Sequence, residues 1–152
     1  MGDGRRVRVT RGIVVREYRP ADRDGLRELW RASGFRLLGD DDQGLATFVA
    51  RTPGLFLVAV AGQRSAERVV ASAMGAWDGR RGWLYHVATA TSHRRTGLAS
   101  VLVARIEEQL VALGAARVNV LVRDDSAGGH AFWTAAGYEL AASRQFGKTL
   151  RE

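Results

Sequence analysis

The chain has 152 residues, enough for one domain with a core of its own, and no cysteine, which excludes disulfides, thiolate metal sites and a cysteine nucleophile. Its 46% hydrophobic residues exclude a disordered chain. The net charge of +7 is carried by scattered arginines, with Lys148 as the only lysine, so nucleic-acid binding is not expected as the main function.

The beginning of the chain predicts no export or membrane anchoring. The segment before residue 13 lacks the apolar core of a signal peptide, and no apolar run is long enough to cross a membrane. We therefore expect a cytoplasmic protein without a membrane partner. Arginines at four of the first eleven positions predict a flexible basic tail over residues 1–11, followed by a single domain over residues 12–152.

The first half of that domain reads as a strand, two helices and a hairpin. Residues 13–18 form the strand, and Asp22 is placed to cap a helix that carries Leu26, Leu29 and Trp30 on one face. A loop over residues 35–42 leads to a second helix over residues 43–51. Residues 55–61 and 69–78 are then apolar strands, and the seven-residue turn between them predicts a hairpin.

The second half starts with an apolar strand over residues 83–90, a basic turn and a long helix. That helix is marked by apolar residues at three- or four-residue steps, namely Leu98, Leu102, Ile106, Leu110 and Leu113. A strand over residues 117–122 and a short helix over residues 127–136 follow, with residues 124–126 as its cap. Residues 138–143 and 145–150 read as a final pair of strands. The order predicts an α+β fold with helices covering a mostly antiparallel sheet.

The basic turn is the strongest candidate for a binding site. It reads Arg94-Arg95-Thr96-Gly97-Leu98-Ala99 and lies where the first N–H groups of the long helix have no partners within the helix. The helix dipole is positive there, the small residues allow a ligand close to the backbone, and the arginines add charge. A diphosphate is the ligand we expect. A solvated basic turn is the alternative, since this arginine- and glycine-rich chain can produce the pattern by chance.

Together with the sequence Phe-Trp-Thr-Ala-Ala-Gly-Tyr at residues 132–138, this turn gives the chain a family resemblance. The element order, the R-x-x-G-x-A turn between strand and helix, and the later helix ending in an aromatic-x-x-x-Gly-aromatic pattern resemble the GNAT N-acetyltransferases, especially small bacterial stand-alone members. The resemblance covers residues 13–150. It implies the GNAT fold, a mixed and mostly antiparallel sheet flanked by helices, in which a central pair of strands splays apart.

The resemblance implies acetyl-CoA as cofactor, no metal, and a set of binding residues. The diphosphate would lie on the turn and the start of the helix, and the pantetheine arm would lie along the preceding strand in the gap that the splayed pair leaves. The residues implied are Val87, Ala88, Thr89, Arg94, Arg95, Thr96, Gly97, Leu98, Ala99, Ser100, Ser126, Phe132 and Trp133.

The catalytic residues are less evident, because the chain departs from the family twice. Ser126 stands where the family usually has Asn, and Trp133 where it has a Tyr acid; an indole N–H is not a usable acid, so Trp133 is expected to pack on pantetheine. Tyr85, His86 and Asp78 are the candidates for proton transfer. Strand alternation places His86 on the opposite face from Tyr85, which favours a core histidine, and Asp78 can equally stabilise its turn.

The acceptor would be met by the loop between the first two helices. Asp40, Asp41 and Asp42 lie there and could attract a cationic amine, or simply solvate the loop and cap the helix. The sequence thus predicts an N-acetyltransferase that acetylates a primary amine of a small molecule, peptide or protein. The alternatives are an acyl-CoA-binding module without catalysis, and an enzyme acting on RNA or aminoacyl-tRNA. A homodimer is compatible with the resemblance.

Overall fold

The computed structural model describes residues 6–10, 12–63 and 65–150, which carry six strands and four α-helices. The strands are β1 (Val7–Thr10), β2 (Ile13–Glu17), β3 (Phe56–Ala61), β4 (Arg68–Trp77), β5 (Gly82–Thr89) and β6 (Val118–Val120). The helices are α1 (Arg23–Ala32), α2 (Asp42–Arg51), α3 (Leu98–Ala112) and α4 (Ala127–Ala135). Among these residues no helix is long and apolar enough to span a bilayer.

The strands form one open sheet in the order of the chain, β1 to β6. Each neighbouring pair is antiparallel except β5 and β6, which are parallel and are connected through α3. The mixed, mostly antiparallel sheet that the sequence predicted is therefore confirmed. The chain divides into two compact units, Met1–Val120 and Leu121–Glu152, and the sheet belongs to the first.

Helices pack on both faces of this sheet. Leu26 and Trp30 of α1 and Leu45 of α2 share a buried cluster with residues of β3 and β4, among them Val58 and Met74. α3 covers the other face. There Gly75 lies so close to it that a Cβ would stand 2.5 Å from Cγ2 of Ile106.

Two expectations for the N-terminal part are corrected. Residues 7–10 were expected in a flexible tail but form β1, which pairs antiparallel with β2 so that Val7 lies opposite Val15. Residues 1–5 and 11 lie outside the described residues. Asp22 occupies the N-cap position of α1, but its side chain makes no capping hydrogen bond to that helix; it accepts the N–H of Arg19 at 2.8 Å within a preceding 3₁₀ turn (Pro20–Asp22). Its carboxylate is buried and instead binds the guanidinium of Arg16 at 2.7 and 2.8 Å.

The second unit contains α4, which begins as predicted with Ser126 as its cap: the hydroxyl oxygen accepts a hydrogen bond from the N–H of Gly129 at 3.3 Å. The predicted strands over residues 138–143 and 145–150 are wrong. That segment contains no strand, and three of its apolar residues, Leu140, Phe146 and Leu150, are 88 to 94% exposed.

Candidate functional site

The turn before α3 has the conformation of an open binding loop. Arg95 and Gly97 both have positive φ, 60° and 80°, and Gly97 occupies the N-cap position without a side-chain cap. The first turn of α3 contains no acidic residue. A Cβ on Gly97 would meet no atom within 4 Å, so the space over the turn is open.

The backbone N–H groups of this segment are unused. Within the described part of the chain, the N–H groups of residues 95–100 have no acceptor, and the first helical hydrogen bond is Val101 N–H to the carbonyl of Gly97 at 3.1 Å. Six consecutive free donors at the positive end of a helix favour a ligand with several negative oxygens.

The side chains of the turn leave those donors accessible. Arg94 and Arg95 are exposed and form no ion pair within the described ranges, although Nε of Arg94 lies 3.4 Å from the carbonyl of Thr89. The hydroxyl of Thr96 donates to the carbonyl of His93. Ala99 and Ser100 lie at the surface of the first turn, whereas the side chain of Leu98 is buried and anchors the helix.

Strand β5 leads into this turn and is paired with β6 over only part of its length. The register runs from Gly82 opposite Val118 to Leu84 opposite Val120, and no residue of β6 pairs with β5 beyond that point. Ala90 N–H donates to the carbonyl of Val70 at 2.8 Å. By strand alternation, the backbone groups of Val87 and Thr89 point away from β4, to the side where β6 has ended. Ala88 is buried in the core.

A bulge at His86 changes the faces of β5. The register with β4 goes from Tyr85 opposite Met74 to Ala88 opposite Ser72, so β5 carries one extra residue, and His86 has a φ of 46°. Tyr85 shares the face of Met74, which packs near Trp30, and the ring of His86 lies edge-on to Trp30 at 4.4 Å. The expectation that His86 and Tyr85 occupy opposite faces is therefore wrong, because the bulge interrupts the alternation.

The bulge is held by a buried hydrogen-bond chain. The indole N–H of Trp30 donates to Oγ of Ser72 at 2.9 Å, and that hydroxyl donates to the carbonyl of His86 at 2.8 Å. Ser72 and Trp30 are fully buried. Helix α1 thus fixes the backbone of β5 where its side-chain alternation changes.

The side chain of His86 reaches the loop between α1 and α2. Its Nε2 lies 2.8 Å from Oδ2 of Asp40, and its ring stacks on Phe35 at 4.8 Å. The side chains of His86 and Asp40 are only 20% and 12% exposed. The sequence placed both residues among candidates but gave no signal for their pairing, because neither the bulge nor the course of the loop is visible in a local pattern.

The rest of the acidic cluster is occupied by structural contacts. Asp41 caps α2, accepting the N–H of Gly44 at 2.7 Å, and Asp42 binds Arg23 and Arg27 at 2.6 and 2.7 Å. These arginines hold the pKa of Asp42 below its usual range, with the hydrogen bond from Arg27 as the main cause. Of the three aspartates, only Asp40 directs its carboxylate to a residue of β5.

Asp78 stabilises the turn between β4 and β5. Its carboxylate accepts hydrogen bonds from the N–H of Arg81, the N–H of Arg80 and the indole of Trp83, at 2.6, 2.8 and 3.0 Å. The hydrogen bonds from Arg81, Trp83 and Arg80, in that order, lower the pKa of Asp78 to about 2. A carboxylate stabilised in this way is a poor proton acceptor near neutral pH, which argues against Asp78 as the base.

Tyr85 is a half-exposed neighbour of His86. Burial, with a smaller contribution from the charge of Asp78, raises the pKa of its phenol above the ordinary value. Tyr85 therefore keeps its proton at neutral pH and can donate a hydrogen bond but cannot act as a base.

The remaining predicted residues belong to the second unit. Ser126 caps α4, and Trp133 is 8% exposed and packs edge-on against Phe132 and Tyr138, with ring centroids 4.9 and 4.7 Å apart. Their roles in cofactor binding stay predictions. Among the described residues, no group of three or more metal-ligating side chains is placed to hold an ion.

The matching family model and the similar sequences are all described as acetyltransferases. A family model described as the acetyltransferase (GNAT) family matches residues 15–138. The chain is 33% identical to an acetyltransferase of Sodalis glossinidius, over 86% of this chain and 90% of that one. It is 31% identical to an acetyltransferase of Pectobacterium atrosepticum, over 92% of this chain and 97% of the relative.

Solved structures show the same fold at lower identity. Ard1 from Thermoplasma volcanium matches with a TM-score of 0.74 and 19% identity, over 86% of this chain and 85% of the other. An acetyltransferase from Streptococcus agalactiae matches with a TM-score of 0.73 and 15% identity, over 94% and 93% of the two chains.

Proposed function

The chain belongs to the GNAT acetyltransferase family, whose general reaction is the transfer of an acetyl group to an amine, and we propose that residues 94–100 bind the diphosphate of acetyl-CoA in this reaction. One observation carries the proposal: the free backbone N–H groups of residues 95–100, at a helix start without an acidic residue. Arg94 and Arg95 add positive charge beside these donors.

The outer edge of β5 is the proposed site for pantetheine. Backbone groups of Val87 and Thr89 face the side where β6 has ended, so an extended chain with amide groups can form hydrogen bonds there as a strand would. The bound cofactor supplies an activated acetyl group as a thioester. The N–H groups along this edge are suitable donors for the negative charge that develops on the acetyl oxygen.

The proposed acceptor is a primary amine that approaches from the face of α1. Tyr85 and His86 share that face, and the loop between α1 and α2 contributes Asp40. On the basis of the family resemblance, Ser126, Phe132 and Trp133 are also proposed to bind acetyl-CoA.

The test compares two glycines at opposite ends of α3. Gly97 and Gly114 both have positive φ, 80° and 100°, and both have open space where a Cβ would stand. Gly97→Glu places a carboxylate among the free N–H donors, whereas Gly114→Glu makes the same chemical change about 22 Å away along a 15-residue helix. Melting temperatures are measured with and without CoA and acetyl-CoA.

We expect both ligands to stabilise the wild type and Gly114→Glu. Ligand at about 100 times its Kd contributes about 2.7 kcal/mol, several degrees in Tm for a chain of this size. Gly97→Glu should lose this stabilisation. Equal stabilisation of both variants would place the diphosphate elsewhere. Stabilisation of the wild type without thiol release on any primary amine would identify a binding module rather than an enzyme.

A further inference from the structure

The contact between β5 and the loop before α2 assigns a role in proton transfer. We propose that His86 and Asp40 form the proton-accepting pair of the reaction, with Nδ1 of His86 as the base and Asp40 as the positioning residue. This inference rests on the function proposed above and names the groups that act at the acceptor side of the same site.

The hydrogen bond determines which ring nitrogen is available. Nε2 of His86 lies 2.8 Å from the carboxylate of Asp40, and an ionised carboxylate only accepts hydrogen bonds. Nε2 of the neutral ring therefore carries the hydrogen, and the lone pair is on Nδ1. Nδ1 has no hydrogen-bond partner within the described residues and is not among their fully buried unpaired atoms.

The ring is held from several elements. Phe35 stacks on it, Trp30 meets it edge-on, and the carbonyl of the same residue is fixed by Ser72. On the loop side, Arg27 donates to the backbone carbonyl of Asp40 at 3.0 and 3.3 Å, which leaves the carboxylate to the histidine. A general base needs this kind of fixed orientation, because proton transfer requires hydrogen-bond distance.

The charged and titratable groups around His86 are few. From the loop, Asp40 contacts Nε2; from α1, Arg27 reaches Asp40 through its carbonyl; from β5, the phenol of Tyr85 is adjacent in sequence. β4 contributes the neutral hydroxyl of Ser72. Asp40 is thus the anion in contact with the ring, and it stabilises the ring once a proton has been taken up.

The bulge brings this base next to the edge proposed for pantetheine. His86 immediately precedes Val87, whose backbone faces that edge. The side chain of His86 lies on the face of α1. A residue in regular alternation could not combine these two features at this position. The extra residue in β5 thus places an imidazole directly before Val87, the first residue of the edge proposed for pantetheine.

The proton and electron balance of the step is complete without another reactant. Nδ1 takes a proton from the attacking amine nitrogen as the bond between that nitrogen and the acetyl carbon forms. The carbon–sulfur bond breaks with its electron pair on sulfur. The protonated imidazole then returns its proton through solvent to the sulfur, so the products are an amide and a thiol and the ring is neutral again.

The experiment uses three variants of the full chain. His86→Gln keeps a polar side chain that cannot take up a proton, and Asp40→Asn removes the positioning charge. Asp41→Asn is the matched control, because it makes the same change one residue along and asparagine still caps α2. Thiol release from acetyl-CoA is followed with a short peptide carrying a free N-terminus, spermidine and glucosamine as amine probes.

We expect His86→Gln to lower kcat/KM by about 100-fold or more and Asp40→Asn by about tenfold, with unchanged binding of acetyl-CoA in the thermal-shift assay. The acid limb of the kcat/KM profile should disappear in His86→Gln and remain in Asp40→Asn. Independently of activity, ¹⁵N NMR of the histidine ring should show the hydrogen of neutral His86 on Nε2, with the signal assigned through His86→Gln.

Two results would overturn the pair alone: wild-type kcat/KM in His86→Gln across the pH range, or a neutral ring with its hydrogen on Nδ1. Equal losses in Asp40→Asn and Asp41→Asn would remove the positioning role from Asp40. A wild type that binds acetyl-CoA but releases no thiol with any probe amine would instead refute the acetyl transfer itself, and the pair with it.

Discussion

Asp78 shows how hydrogen bonds determine the role of one side chain. Two backbone N–H groups and one indole N–H donate to its carboxylate, which is the arrangement of a turn that closes the β4–β5 hairpin. The sequence left a base and a turn residue as alternatives for this aspartate. Its occupied oxygens and lowered pKa favour the turn residue.

A pH-dependent contribution of Asp78 to stability follows. The folded-state pKa of about 2 lies below the ordinary 3.8, so the contribution is complete above about pH 4 and is lost as the pH falls towards 2. The Tm difference between wild type and Asp78→Asn should be constant from pH 7 to 5 and be largely lost at pH 2. Asp124→Asn, an exposed aspartate, serves as control and should show no such change. A difference that persists at pH 2 would contradict this assignment.

Ser72 is a second residue whose role follows from its hydrogen bonds. Its hydroxyl accepts from the indole of Trp30 and donates to the carbonyl of His86, and it is fully buried. Ser72→Ala leaves both partners without a hydrogen bond, which should lower the free energy of unfolding by about 1–3 kcal/mol in a urea titration. Ser33→Ala, which removes a hydroxyl bonded to a helix-end carbonyl, should cost clearly less. Equal costs would mean that the bulge does not depend on Ser72.

At the scale of elements, the sequence predicted helices better than strand details. Apolar periodicity and capping residues located α1 to α4 within a few residues, because a helix is determined by neighbours along the chain. The bulge in β5 depends on contacts with α1 and was not predictable from a local pattern. The C-terminal strands were predicted from apolar alternation alone, yet a strand also needs a neighbouring strand to pair with, and residues 138–150 are not paired in the sheet of the described chain.

The packing of α3 on β4 gives a prediction at this scale. A Cβ at Gly75 would lie 2.5 Å from Cγ2 of Ile106 and 3.4 Å from Leu55, so Gly75→Ala forces the helix away from the sheet. We expect a loss of about 1–3 kcal/mol in the free energy of unfolding, by urea denaturation. Gly128→Ala is the control: it lies inside α4 with open space and should be neutral or stabilising. A neutral Gly75→Ala would mean that α3 shifts without cost.

Across the first unit, a buried ion network joins distant segments. Arg16 of β2 binds Asp22 at 2.7 Å and Glu67 at 2.8 Å, and Glu67 also binds Arg6 before β1. The pKa of Arg16 is raised, mainly by the hydrogen bond to Asp22, although burial alone would lower it. Burial alone would raise the pKa of Glu67, but the hydrogen bonds from Arg16 and Arg6 outweigh it and lower that pKa.

Removing the centre of this network should affect the whole unit. Arg16→Met leaves the buried carboxylate of Asp22 without its charged partner and leaves Glu67 with Arg6 alone, so we expect a loss of about 3–5 kcal/mol in the free energy of unfolding at pH 7. The loss should shrink at acid pH, because the pKa of Glu67 is lowered in the folded state: its contribution is complete above the ordinary pKa and disappears as the pH falls through the lowered folded-state pKa. Arg36→Met, at an exposed loop arginine, should change stability little. Equal losses in Arg16→Met and Arg36→Met would mean that the loss comes from the change in net charge and not from the ion network.

The extra residue of β5 has a consequence for how such a chain can change by descent. Because two residues of β5, His86 and Val87, stand opposite one residue of β4, loss of a single codon at position 86 would leave Tyr85 opposite Met74 and Ala88 opposite Ser72. The deletion would remove the imidazole and the carbonyl that Ser72 binds, while Val87 and Thr89 would stay beside the end of β6. Under the roles proposed above, one small deletion would therefore separate proton transfer from cofactor binding, and the two properties could evolve independently.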